Sequence, residues 1–138
     1  MANKDVLARM YDEAINGGNL DLIDELLSDD FVEHEEFPGL DNTRDSVKTL
    51  FGVAQGAFAN FRMEPTQFVS EGDLVVAWVR MKGTHTGEFM GIPASGNELD
   101  LELVDMVRVR DGQIVEHWGV SDSLAMMQQL GAAPPPPG

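Results

Sequence analysis

The chain contains no cysteine, which excludes a disulfide framework, a thiolate zinc site and a cysteine nucleophile. Basic residues are scarce: 9 Lys and Arg stand against 24 Asp and Glu, a formal net charge of −15. A surface that negative repels phosphate backbones and anionic lipid, so neither nucleic acid nor membrane is an expected partner. No apolar run is long enough to span a bilayer, and the start MANKDVLARMYDEA lacks the apolar stretch of a signal peptide. With the missing cysteines, this points to a cytoplasmic protein. The three histidines lie far apart with no H-x-H or H-x-x-x-H pair, and the glutamates at 33, 35 and 36 have no second carboxylate cluster to match them. No metal site is therefore expected. A phosphate-cradling glycine loop leading into a helix and a serine nucleophile elbow are absent as well.

What is present is the pattern of one ordered domain. At 138 residues and 43% hydrophobic content, the chain can bury a core of its own. Residues 3–16 carry Leu7, Met10, Tyr11, Ala14 and Ile15 at helical spacing and stop at Gly17-Gly18. Leu22, Ile23, Leu26 and Leu27 form the stripe of a second short helix. A strand follows over Phe31–His34, and the glutamates beside it read as a solvated loop. A third helix starts near Asn42 or Thr43 and carries Val47, Leu50, Phe51, Ala54, Phe58 and Phe61 on one face.

Beyond residue 61 the period becomes alternating. Phe61–Val69, Asp73–His85, Leu99–Arg110 and Gln113–Val120 read as strands, with Pro65 at an edge or bulge. A last helix over Leu124–Leu130 starts from a cap at Ser121 or Asp122. The expected organisation is one domain over residues 1–131 and a disordered, proline-rich tail over 132–138. Helices first and a meander of strands afterwards mean α+β, with helices covering one face of a curved antiparallel sheet.

The segment GTHTGEFMGIPASG (83–96) resembles the GTH-x-G-x-F-x-G-x-P-x-[ST]-G loop of SnoaL-like polyketide and ester cyclases. SEGDLVVAW (70–78), VRDGQIVEHW (109–118), QQLG (128–131) and NGGNLDLIDELLSDDFVEH (16–34) match the same family in order. The resemblance implies a nuclear transport factor 2-like fold, a cone of curved sheet closed by helices. It also implies ring closure of a polyketide by intramolecular aldol condensation without metal or cofactor. Family cyclases carry an acid/base aspartate on the last strand, two residues after a histidine in the cavity. That histidine matches His117, and the aspartate's position is Gly119, which cannot transfer a proton.

The last two strands can be registered by which residues share a face. A three-residue turn at Arg110-Asp111-Gly112, with Gly112 left-handed, pairs Asp105 with His117 and Leu103 with Gly119. One face then reads Leu101, Leu103, Asp105, Val107, Val109, Val115, His117, Gly119, and the other Val104, Met106, Arg108, Ile114, Glu116, Trp118. A two-residue Asp-Gly turn instead mixes the two faces.

Asp105 and His117 form either a proton-transfer pair or a satisfied polar contact lining a pocket. His85 is a candidate at the pocket rim, or an anchor for the 83–96 loop. His34 is a candidate at the pocket mouth, and Asp122 is either a helix cap or a replacement carboxylate. The expected activity is a cofactor-independent cyclase or isomerase acting on a hydrophobic polyketide-like carbonyl compound, as a homodimer through the outer sheet face. The alternative is a non-catalytic domain of the same fold that binds a small molecule or dimerises, which Gly119 favours. An epoxide hydrolase requires an arginine inside the cone, and Arg80 and Arg108 have outward parity.

Overall fold

Tyr11 lies where the first helix changes pitch. The computed structural model describes residues 2–137, and in it α1 (Asn3–Arg9) runs directly into a π-helical segment over Met10–Ile15. The amide of Asn16 donates to the Tyr11 carbonyl at 2.8 Å, a five-residue span. Regular helical spacing does not anticipate that widening, which is frequent at functional sites. The Asn16 side chain fastens the helix end to the sheet, donating to the Met63 carbonyl at 2.7 Å and accepting from the Met63 amide at 2.8 Å.

A 3₁₀ turn (Leu20–Leu22) and α2 (Ile23–Leu26) bury Leu22, Ile23 and Leu26, and β1 (Leu27–Glu33) starts earlier than its apolar pattern suggests. Helix α3 (Arg44–Ala57) is capped by the Thr43 hydroxyl and ends three to four residues before the aromatic spacing predicts. Phe58 and Phe61 belong instead to β2 (Phe58–Glu71). A register shift between Ala59 and Arg62, with Asn60 at φ 56°, adds a residue there. A spacing of three, helical in appearance, thus becomes two side chains on one face of a bulged strand. Pro65 sits on this edge strand beside a second register shift.

β3 (Leu74–His85), β4 (Glu98–Arg110) and β5 (Gln113–Ser121) complete a five-stranded sheet of order β1-β5-β4-β3-β2. The expected antiparallel sheet is mixed: β1 lies parallel to β5, pairing Glu33 with His117. α4 (Ser123–Gln129) follows β5. The helices cover one face, where Tyr11, Ile23, Leu27, Val75, Val79 and Val107 are fully buried, giving the α+β cone.

The register of β4 and β5 corrects the expected turn. Arg110 pairs with Gln113, so Asp111 and Gly112, at φ 52° and 77°, form a two-residue turn. The extra residue is Val115, which lies between the Val109–Ile114 and Arg108–Glu116 pairs. That bulge changes parity once, so Ile114 is buried on the inner face rather than exposed on the outer one. His117 then pairs with Val107 and Gly119 with Asp105, and Asp105 and His117 are diagonal neighbours instead of direct partners. They still share the inner face.

Candidate active site

The cone encloses an apolar pocket floored by Leu7, Tyr11, Leu27, Val107 and Ile114 and walled by Phe51, Phe61 and Phe89. Its polar groups gather on one side. His117 donates from Nε2 to Asp105 Oδ1 at 2.7 Å and from Nδ1 to Glu33 Oε1. The Tyr11 hydroxyl donates to the other Asp105 oxygen at 2.6 Å. Strand pairing explains this convergence: β1 and β5 bring Glu33 beside His117, β4 brings Asp105, and the π-helical segment carries Tyr11 over it.

Both imidazole nitrogens face carboxylates, so both must carry protons to donate. Burial alone would push the His117 imidazolium down, but the hydrogen bonds and charges of Asp105 and Glu33 outweigh it and raise it to about 10. His117 is therefore an imidazolium at neutral pH and has no free nitrogen with which to take a proton. Burial, with Asp105 alongside, drives the Tyr11 hydroxyl well above its usual range and keeps it neutral.

Glu35 is the third carboxyl of this cluster. Phe31, Glu33, Glu35 and Phe37 alternate onto the pocket side, while His34 points the other way. Burial raises the Glu35 carboxyl to about 7; the His117 charge opposes the rise, and Asp105 and Glu33 add to it. A Cβ built on Gly119 would overlap the Glu35 carboxylate and lie 2.8 Å from His117 Cε1. The missing side chain at 119 is thus the space in which Glu35 sits.

Glu33, Glu35 and His117 each bring a potential ligand atom within 4.8 Å of one another. The arrangement does not suit a cation. Nδ1 of His117 already donates to Glu33, and a metal would have to displace that proton from a strongly basic ring.

Of the residues singled out in the sequence, His117 and Asp105 meet in the pocket, whereas His85, His34 and Asp122 do not join them. His85 is fully buried, with Nδ1 accepting from the Ser95 amide at 3.2 Å and its ring against Phe58 at 5.3 Å between centroids. It anchors the 83–96 loop, which carries Phe89 into the pocket wall. His34 lies on the outer side, bonded through Nε2 to Glu116 at 2.9 Å and stacked on Trp118 at 4.8 Å. Its backbone pairs with β5, so strand alternation turns it away from Glu33 and Glu35. Asp122 caps α4, accepting from the Ala125 amide at 3.0 Å. Arg80 is tied to Asp100 and Glu102, and Arg108 to Asp73 and Glu116, all outside the cone.

The residues missed were Tyr11, Glu33 and Glu35. The glutamates lie in the pocket rather than in a solvated loop, and continuing the β1 alternation from Phe31 through Phe37 reveals them. Tyr11 had no such signal, because its hydroxyl reaches Asp105 across 94 residues of sequence.

The sequence profile of the SnoaL-like polyketide cyclases matches residues 5–130. The chain belongs to the SnoaL-like polyketide cyclase family. It is 27% identical over 120 residues to the nogalonic acid methyl ester cyclase of Streptomyces nogalater, covering 86% of this chain and 90% of that one. With the aklanonic acid methyl ester cyclase DnrD of Streptomyces peucetius it shares 26% identity over 136 residues, 96% and 93% of the two chains. The crystal structure of IdmH from Streptomyces antibioticus superposes with a TM-score of 0.82 at 35% identity, covering 95% of this chain and 99% of that one. Among SnoaL-like cyclases, then, this member is described by an imidazolium held between two carboxylates, with a third carboxyl over a glycine. No helix among the described residues is long and apolar enough to cross a membrane.

Proposed function

We propose that this cytoplasmic chain closes a ring in a polyketide methyl ester by intramolecular aldol addition, as a cyclase of the kind its relatives' names describe. The observation that carries this is an apolar pocket with its acidic groups concentrated on one side around a single imidazolium. Aldol closure needs a group to take a proton from carbon and an environment that tolerates the enolate. It also needs walls that hold the two ends of the chain together, and the aromatic walls serve that need. The non-catalytic alternative rested on Gly119 as a missing acid, and it loses force because Glu35 fills that space.

The test is incubation with aklanonic acid methyl ester and nogalonic acid methyl ester, followed by chromatography and mass spectrometry. Intramolecular addition moves a proton and makes a carbon–carbon bond without changing composition. The expected product has the same mass and a different retention, or is lighter by one water if it dehydrates. Recovery of both esters unchanged would count against the reading.

The outer sheet face supports a homodimer. Trp78, Val104 and Val120 lie opposite one another across β3, β4 and β5, and Val76, Met106 and Trp118 form the next row. Trp78 is 45% exposed and Val120 75%, and the other four are half-buried, so this six-residue apolar patch is partly open in the isolated chain. Such a patch is expected to pack against a second copy. Light scattering should give twice the chain mass for the wild type and the single-chain mass for Val120→Glu. A monomeric wild type at micromolar concentration overturns the expectation.

A further inference from the structure

We propose that Glu35 is the acid/base catalytic residue of this site, acting from the space that Gly119 leaves open beside His117. The inference rests on the cyclase reading above and names the residue that would carry its proton.

Placement is the first argument. Glu35 follows β1 on the pocket side, between Glu33 and Phe37, and its carboxyl stands where a Cβ at position 119 would be, 3.1 Å from that Cβ at its carboxyl carbon. Any side chain at 119 would have to expel it.

Availability is the second. Glu33 and Asp105 each accept a hydrogen bond from His117, and Asp105 accepts another from Tyr11. The Glu35 carboxyl has no hydrogen bond among the described residues; only its backbone amide is engaged, with Glu33 at 3.1 Å. Among the described residues it is the one acidic side chain at this end of the pocket with neither carboxyl oxygen engaged.

Protonation is the third. The titratable groups that line the pocket with Glu35 are Tyr11 from the first helix, Glu33 from β1, Asp105 from β4, His117 from β5 and Asp41 from the loop before α3. Burial, with Asp105 and Glu33 adding to it and the His117 charge opposing, brings the carboxyl to about 7, so both its basic and its acidic forms are populated near neutrality. His117, fixed as an imidazolium, cannot serve as the base and instead supplies positive charge next to the reacting atoms.

The step balances without a co-reactant. Glu35 carboxylate takes the proton from the carbon beside a carbonyl, and the C–H electron pair passes into the enolate. The enolate carbon bonds to a second carbonyl carbon of the same molecule, whose π electrons move to its oxygen. That alkoxide takes the proton back from the Glu35 carboxyl, leaving the enzyme as it began.

The experiment combines kinetics on the two methyl esters with carbon-13 NMR titration of labelled glutamate carboxyls. Wild-type turnover should rise with pH to a plateau above an apparent pKa of about 7. Glu35→Gln should lower kcat by roughly 10²–10⁴-fold with little change in KM, and remove that acid limb. Glu35→Asp, which keeps a carboxyl on a shorter stem, should retain the limb at reduced rate. Wild-type turnover in Glu35→Gln, or a Glu35 carboxyl titrating in the ordinary range, overturns the proposal. A wild type that cyclises neither ester overturns the cyclase reading instead, and the NMR titration then decides the standing of Glu35 by itself.

Discussion

His117→Ala should lower the stability of the fold by about 3–5 kcal/mol at pH 6.5, because it leaves two inward-facing carboxylates without their shared counter-ion. The Glu33 side chain is 7% exposed and that of Asp105 11%, so water cannot replace the imidazolium. The remaining Tyr11 hydroxyl reaches Asp105 only. Loss of turnover in this variant is therefore ambiguous unless folding is measured beside it. Urea denaturation followed by tryptophan fluorescence makes the comparison, and a variant as stable as the wild type would show that the triad adds nothing to the fold.

The pH dependence of that difference gives the same argument a second check. The imidazole titrates near 6.5 when unfolded and at about 10 in the folded protein, so between those values the folded state binds more protons. Its contribution is fully present below about 6.5 and is lost as pH rises through about 10. The gap between wild type and His117→Ala should thus narrow steadily from pH 6.5 to 10.

Much of this architecture was legible because alternation and turn chemistry are local. β3 and β4 were bounded to within a residue, and the inner face of β4, from Leu99 through Asp105 to Val109, follows from period two alone. Errors arose where a residue was inserted or pairing was non-local. The bulge at Val115 reproduced the expected faces for His117 and Gly119 by a different route, while sending Ile114 inward. The parallel pairing of β1 with β5 has no local signature, since it joins segments more than 80 residues apart. Without it, Glu33 and Glu35 look like a charged loop. Gly119 was read as a deficiency because sequence shows that a side chain is missing but not what occupies the space. An aspartate restored there would meet Glu35 rather than an empty cavity.

Glu35→Gln should make the protein more stable than the wild type at pH 8 while leaving the two equal at pH 4. The carboxyl titrates at 4.5 in the unfolded chain and at about 7 in the fold, so between those values the folded state binds more protons and stability falls as pH rises. Below 4.5 the group is neutral in both states and nothing is lost; above 7 the full cost of holding a desolvated charge is present. At about 1.4 kcal/mol per pH unit, discounted for the solvent that reaches the pocket mouth, that cost is roughly 1–3 kcal/mol. Glutamine has nearly the same shape and no charge, so it removes the cost at every pH. A gain in stability with a loss of turnover is the expected mark of a residue kept for chemistry at the expense of the fold. Urea midpoints at pH 4 and pH 8 decide it. If Glu35→Gln is no more stable than wild type at pH 8, the carboxylate is not desolvated, and a base poised near neutrality loses its physical cause.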